Sequence, residues 1–279
     1  MLRQTARATR AVAIASVAVL ALSGCAMLGG KKGGDTAYIA RDVESLYAEA
    51  KDRLDKGDTK TAAALFDEVE RQHPYSPWAR RAQLMGAFTN YVRKDYDKTI
   101  EGAQRFLSIH PGNKDAPYAY YLIALSYYEQ ISDVDRDQRV TQQALTALQE
   151  VDRRYPGTRY AADARLKIDL VHDHLAGKEM EIGRWYLRRD QPLAAIGRFR
   201  RVIEQFQTTS HTPEALYRMV EAYLTLGLTE EATRNAAVLG HNFPGSRWYS
   251  DAYVLVTREG GTLDVEPEEE SWLRRLIPG

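Results

Sequence analysis

The sequence predicts an all-α fold, a superhelical array of five helix pairs spanning residues 38–257. Three observations predict it. One pattern of small and apolar residues recurs five times, a proline closes four of the five copies, and each copy follows a second apolar helical stretch. The chain of 279 residues is long enough for such an extended array.

The recurring segments are GDTKTAAALFDEVERQHP from Gly57, KDYDKTIEGAQRFLSIHP from Lys94, VTQQALTALQEVDRRYP from Val140, DQPLAAIGRFRRVIEQFQ from Asp190 and GLTEEATRNAAVLGHNFP from Gly227. The first slot is small in every copy: Ala62, Thr99, Ala144, Ala195 and Ala232. Four residues on stand Phe66, Ala103, Leu148, Phe199 and Ala236, and three further on Val69, Phe106, Val151, Val202 and Leu239. Steps of four and then three keep these side chains on one helical face. Pro74, Pro111, Pro156 and Pro244 close the unit, with Gln207 once in that slot. Proline cannot continue a helix, so it acts as the stop.

Before each copy runs another helix: SLYAEAKDRLDKG, AQLMGAFTNYVRK, YAYYLIALSYYEQ, MEIGRWYLRR and ALYRMVEAYLTLG, each apolar at three- and four-residue spacing. Ala50, Ala87, Ala124 and Gly183 near their middles let two helices approach closely. Helix, short turn, helix and proline over a basic period of about 34 residues resembles the tetratricopeptide repeat. Longer intervals around the third and fourth units imply a turn-rich insertion at Ile131–Gln138 and a long helix from Tyr160 onward.

Ahead of the array lies an export signal, residues 1–24. Arg3, Arg7 and Arg10 precede an apolar run of 12 residues, Ala11–Leu22. That run is shorter than the roughly 20 apolar residues that span a bilayer, and it fits the hydrophobic core of a signal peptide. It leads into Leu22-Ser23-Gly24-Cys25, which resembles the lipobox of bacterial lipoproteins. The Cys25 thiol accepts diacylglycerol through a thioether, and cleavage before it then leaves an amine for an acyl group. Several acyl chains together hold a protein stably on a membrane. Cys25 is the one cysteine of the chain, so no disulfide is expected. Residues 25–37 read as a lipidated flexible tether rich in Gly and short polar residues, and 258–279 as a tail without helical pattern. An aspartate after the cysteine resembles an inner-membrane retention signal, so Ala26 points to the outer membrane.

Removing residues 1–24 takes away three arginines and no acid, which leaves a formal charge of −3. That balance gives no basic footprint for nucleic acid. No converging set of reactive groups stands out either. His73 and His110 share one repeat slot, which points to structure; His172 and His174 are two apart and point in different directions; His211 and His241 lie near turns. No phosphate loop, nucleophile elbow, dinucleotide fingerprint or zinc helix is present. The expectation is a scaffold rather than an enzyme, with no metal and no cofactor beyond the lipid on Cys25.

Two surface features point to partners. Repeat geometry places Tyr47, Phe88, Tyr91, Tyr118, Tyr121 and Tyr128 on the inner side of the first helices, where they form a groove suited to an extended peptide with aromatic side chains. Arg184, Arg188, Arg189, Arg198, Arg200 and Arg201 gather in the fourth unit, with Arg198, Arg200 and Arg201 placed to dock an acidic partner.

Lipobox, tether, five units, the insertion DVDRDQ and the long fourth first-helix together resemble the BamD family, also called ComL. The resemblance runs from about Tyr38 to Val256 and is most specific in YAEAKDRLDKGD, RFLSIHPGN with APYAYYLIALSYYEQ, and DVDRDQ. It implies the lipoprotein subunit of the β-barrel assembly machine, on the periplasmic face of the Gram-negative outer membrane. Its implied partners are unfolded outer-membrane proteins on the N-terminal repeats, the POTRA domains of BamA on the C-terminal repeats, and other lipoproteins of the complex. Arg198 matches an arginine of the family's docking helix by position. The tail after Gly260 extends beyond shorter members. The scaffold also fits a periplasmic adaptor that coordinates envelope or peptidoglycan synthesis with cell division, although such proteins are usually soluble and often start with a coiled coil. Cys25→Ala is expected to leave an uncleaved or soluble protein. Mass spectrometry of the mature N-terminus checks this, and an unmodified Cys25 in the wild type would refute it.

Overall fold

The computed structural model describes residues 41–134 and 136–267. The export signal, Cys25, the tether and the tail beyond residue 267 lie outside the described residues. Eleven helices are present among the described residues. The pairs are α1 (Val43–Asp55) with α2 (Thr59–Gln72), α3 (Pro77–Val92) with α4 (Tyr96–Ile109), and α5 (Ala116–Tyr128) with α6 (Arg139–Arg154). Then come α7 (Arg159–Arg188) with α8 (Pro192–Gln205), α9 (Thr212–Thr225) with α10 (Thr229–Asn242), and a final α11 (Arg247–Arg258). Each helix packs on the next, and first helices also touch their successors, α1 on α3, α3 on α5 and α5 on α7.

All fifteen slot residues of the five second helices are buried, at 1% exposure or less. Their partners are the small residues of the first helices. Gly183 shows why: a Cβ there would sit 2.4 Å from the Phe199 ring. Thr99, the one polar slot residue, donates its hydroxyl to the Asp95 carbonyl at 2.9 Å, so its own buried hydroxyl is paired.

The turns within pairs share one geometry. Gly57, Lys94, Asp190 and Gly227 all adopt positive φ, between 54° and 80°. The N–H of the following residue then reaches back to the last turn, as in Asp58 N to Arg53 O and Leu228 N to Tyr223 O, both 2.9 Å. Lys94 and Asp190 hold that conformation without glycine, at a strain of about 1–2 kcal/mol each. Between pairs, the residue two beyond the proline starts the next helix. Ser76, Thr158 and Ser246 accept from Ala79 N, Ala161 N and Trp248 N at 3.0, 3.2 and 3.3 Å.

Helix α11 was not separated from the repeats in the sequence. It ends as a first helix does, with Gly260 at φ +81° and Gly261 N bonded to Val256 O at 2.9 Å. It is the opening helix of a sixth unit, and it buries Tyr249, Ala252 and Val256 against the fifth pair. Beyond it the chain folds back, and Leu263 joins the same core.

The 30-residue α7 serves two cores. Ala164 and Val171 pack with Leu145, Leu148 and Val151 of α6, whereas Ala176 and Met180 pack with α8 and α9. At the join, Gly177 lets Val134 of the insertion and His211 of the α8–α9 turn approach the helix backbone. The Gln138 amide pins the insertion by donating to the Arg136 and Val134 carbonyls at 2.9 and 3.2 Å. Gly183→Ala is expected to overpack against Phe199 and cost about 1–3 kcal/mol. Gly197→Ala, exposed on α8 with nothing within 4 Å of a new Cβ, should gain up to about 1 kcal/mol. Denaturant unfolding of the two variants checks the contrast.

Candidate functional site

The aromatic residues on α3 and α5 form a row with a member from α7. The Phe88 and Tyr118 rings lie 6.5 Å apart, Tyr118 and Tyr160 5.6 Å, and Tyr160 and Tyr121 5.2 Å. All are half-buried. Tyr91 lies close enough to Tyr118 and Tyr121 to act on them electrostatically; its ring packs 5.9 Å from Tyr96, and it donates its hydroxyl to Glu129 at 3.4 Å. Tyr121 donates to Asp163 at 2.5 Å. Asp163 also pairs with Lys167 at 2.8 Å, and that ammonium lies 5.5 Å over the Tyr128 ring.

Of the six aromatic positions read from the sequence, five therefore meet around the α3–α5–α7 contact. Tyr47 does not. Its ring packs 4.8 Å from Trp78 and 5.6 Å from Phe66, inside the first-pair cluster. Tyr160, Asp163 and Lys167 were missed. A tyrosine opening the long helix was visible, but its side depends on how α7 is rotated against α5, which no local pattern states.

The electrostatics of the row follow from burial. Desolvation, helped by Glu129, pushes the Tyr91 phenol up to about 12, and desolvation with Tyr160 nearby pushes Tyr118 to about 12. Tyr121 is raised by burial and by its bond to the charged Asp163. Burial pushes the Asp163 carboxyl up, but hydrogen bonds from Lys167 and Tyr121 outweigh it and hold the group below its ordinary value. These tyrosines are neutral donors at any physiological pH.

The arginine cluster divides. Arg198 and Arg201 both donate to Glu179 of α7, each at 3.1 Å, while Arg200 reaches the Tyr223 hydroxyl of α9 at 3.2 Å. Arg184 grips Glu214 through both carboxylate oxygens at 3.0 Å and also pairs with Glu181, and Arg189 stacks 4.4 Å over Trp185. Arg198 and Arg201 keep outward-facing surface, with side chains 32% and 53% exposed, so further donors remain for a partner. A cleft of about 800 Å³ lies elsewhere, between α4, α5 and α6, and its lining includes Leu107, Tyr120, Ile123, Tyr127 and Ala147. Among the described residues no group of three or more His, Cys, Asp or Glu is placed to hold a metal ion, and no helix is long and apolar enough to cross a membrane.

Residues 40–239 match the YfiO family, described as an outer membrane lipoprotein. The outer membrane protein assembly factor BamD of Caulobacter vibrioides is 59% identical over 92% of this chain and 84% of its own length. The chain belongs to the BamD family. The BamD of Rickettsia prowazekii is 46% identical over 85% of this chain and 92% of its own. Among solved structures, a thermophilic TPR protein of Thermus thermophilus covers 78% of this chain and 98% of its own, with 18% identity and a TM-score of 0.36.

The tyrosines set a pH dependence. An unfolded phenol ionises near 10.0, whereas Tyr91 and Tyr118 stay protonated to about 12 in the fold. Their contribution is complete below about pH 10 and is lost as pH rises from there toward the folded values. Urea midpoints should hold steady up to about pH 9 and fall by about pH 11, with tyrosinate absorbance appearing on unfolding. A midpoint unchanged over that range would refute it.

Proposed function

We propose that this chain is the lipid-anchored periplasmic scaffold of the outer-membrane β-barrel assembly complex. It holds the barrel subunit BamA through the basic face of α8 and receives unfolded barrel proteins on the aromatic row. The observation that carries this reading is identity to BamD of C. vibrioides, named an outer membrane protein assembly factor, along nearly the whole chain. The surface chemistry supports it. Half-buried tyrosines offer wide apolar faces at small entropic cost, and the hydroxyls of Tyr91 and Tyr121 are already tied to Glu129 and Asp163. An extended chain with alternating side chains can lay its aromatic positions on such a row. The described array has no spare catalytic domain, and its extended side-by-side helices suit an adaptor. Anchoring is assigned to lipid on Cys25, with the tether giving the array reach from the membrane surface.

Two variants test the two faces in one preparation. Replacing Phe88, Tyr91 and Tyr121 together with serine should weaken binding of aromatic-ended barrel peptides, each anchor typically contributing about 2 kcal/mol at a hot spot. BamA capture should persist. Arg198→Ala should do the reverse, lowering BamA co-purification by the equivalent of about 1.5 kcal/mol or more and leaving peptide binding intact. Alanine is the cleaner change, because a glutamate at 198 would face Glu179 as well as the partner. A folded triple variant that binds peptide normally would exclude the row as the site. Undiminished BamA capture by Arg198→Ala at low salt would leave the arginines as a solvated surface.

A further inference from the structure

The cleft between α4, α5 and α6 belongs to neither the aromatic row nor the arginine face. Its floor is Tyr120, Ile123 and Tyr127, which steps of three and four keep on one face of α5, a different face from that of Tyr118 and Tyr121. Leu107 of α4 and Ala147 of α6 make the sides apolar, and Gln104 and Gln143 add neutral amides. Toward the starts of α4 and α6 the cleft runs on into a hollow of about 350 Å³, which shares Gln104, Tyr127, Arg139 and Gln143 with it. Asp97 and Glu101 line that hollow, both exposed. Neither pairs with a cation among the described residues; Lys98, between them in sequence, is held by Asp95 at 3.0 Å. Arg139 also lies there, but Asp137 offsets it at 3.9 Å, so this end carries two negative charges in excess. The other end is basic. Glu150 holds both Arg153 and Arg154, one carboxylate against two guanidiniums, and Arg154 lies 5.1 Å over the Tyr120 ring.

We infer that this cleft docks a helix of another protein, with a short apolar stripe, a lysine or arginine at the end beside Asp97 and Glu101, and an acid at the end beside Arg153 and Arg154. The length sets the stripe. Tyr120 and Tyr127 are seven residues apart on α5, a rise of about 10.5 Å or two turns. Over two turns a partner helix presents apolar side chains at i, i+3, i+4 and i+7. The walls favour a helix over a strand. The backbone groups of α4 and α6 are spent inside those helices, so an extended chain would find no ladder to join, whereas a helix satisfies its own backbone. The middle of the cleft is neutral, so charge is matched only at its two ends, and their opposite signs fix the direction in which the partner's charges must run.

The test uses the full mature lipoprotein in detergent micelles and a fluorescent alanine-based helical peptide with leucines at i, i+3, i+4 and i+7, a lysine one turn before them and a glutamate one turn after. A second peptide carries glutamate in place of the lysine. The lysine peptide should bind about tenfold more tightly, with the gap narrowing as salt rises. Asp97→Asn together with Glu101→Gln should remove most of that difference. Ala147→Glu should abolish binding of both peptides, and Tyr121→Ser should change neither. Thr146→Glu, at an exposed position of the same wall, repeats the block if Ala147→Glu lowers the unfolding midpoint. Equal binding of the two peptides by the unsubstituted protein would overturn the inference, as would binding that survives both wall variants and is lost in Tyr121→Ser. A protein that light scattering finds dimeric without peptide, and monomeric as Ala147→Glu, would overturn it in favour of a second copy on this face. Absence of binding by either peptide would overturn it outright.

Discussion

Everything in this array depends on one repeated contact, three buried residues of a second helix set against a small residue of the first. Fifteen slots at 1% exposure or less leave no room for polarity there beyond a self-bonded Thr99. A single pair cannot bury its apolar faces alone, so each unit needs its neighbours, which is the energetic logic of a solenoid. Close approach is also selective. Where the second slot is the large Phe199, the facing residue is Gly183, and a Cβ there would sit 2.4 Å from the ring. The volume added on one helix is removed from the other.

That constraint decides where function can lie. The second helices give their best faces to the core, so binding chemistry is left to the flanks of the first helices. There α3, α5 and the start of α7 supply half-buried rings, while α7, α9 and α11 supply a different surface. In that second region Arg184, Glu214, Arg218 and Glu221 bind one another, with the Arg218 guanidinium 5.5 Å over Trp248. One half of the first-helix face is aromatic, with the Tyr91 and Tyr121 hydroxyls tied to acids; the other is a lattice of charges that satisfy themselves. An apolar partner is favoured by the former, because covering Tyr91 and Tyr121 leaves their hydroxyls paired.

Helix α7 joins these regions. Its first half belongs to the third core and its second half to the core of the last two pairs, so the two cores share one rigid element. Val134 of the insertion and His211 of the next inter-pair turn meet at Gly177, midway along it. Glu179, two residues on, receives both Arg198 and Arg201. The orientation of that basic face is thereby set by α7 rather than by α8 alone.

The sequence by itself determined the all-helical class, the pair boundaries, the buried slots, the long α7 and the place of the insertion. These are written in local terms: a 3.6-residue periodicity, a proline that cannot donate, a glycine in a left-handed turn. It also brought Phe88, Tyr91, Tyr118, Tyr121 and Tyr128 to one side, because each lies in register within its own helix. The tertiary structure alone decided what happens between helices. It turned Tyr160 into the row and Tyr47 into the first core, and it divided five of the six neighbouring arginines among Glu179, Tyr223, Glu214 and Trp185. The reason is physical. The rotation of one helix against another is fixed by the volumes packed between them, and a residue's own neighbours in sequence carry no record of it.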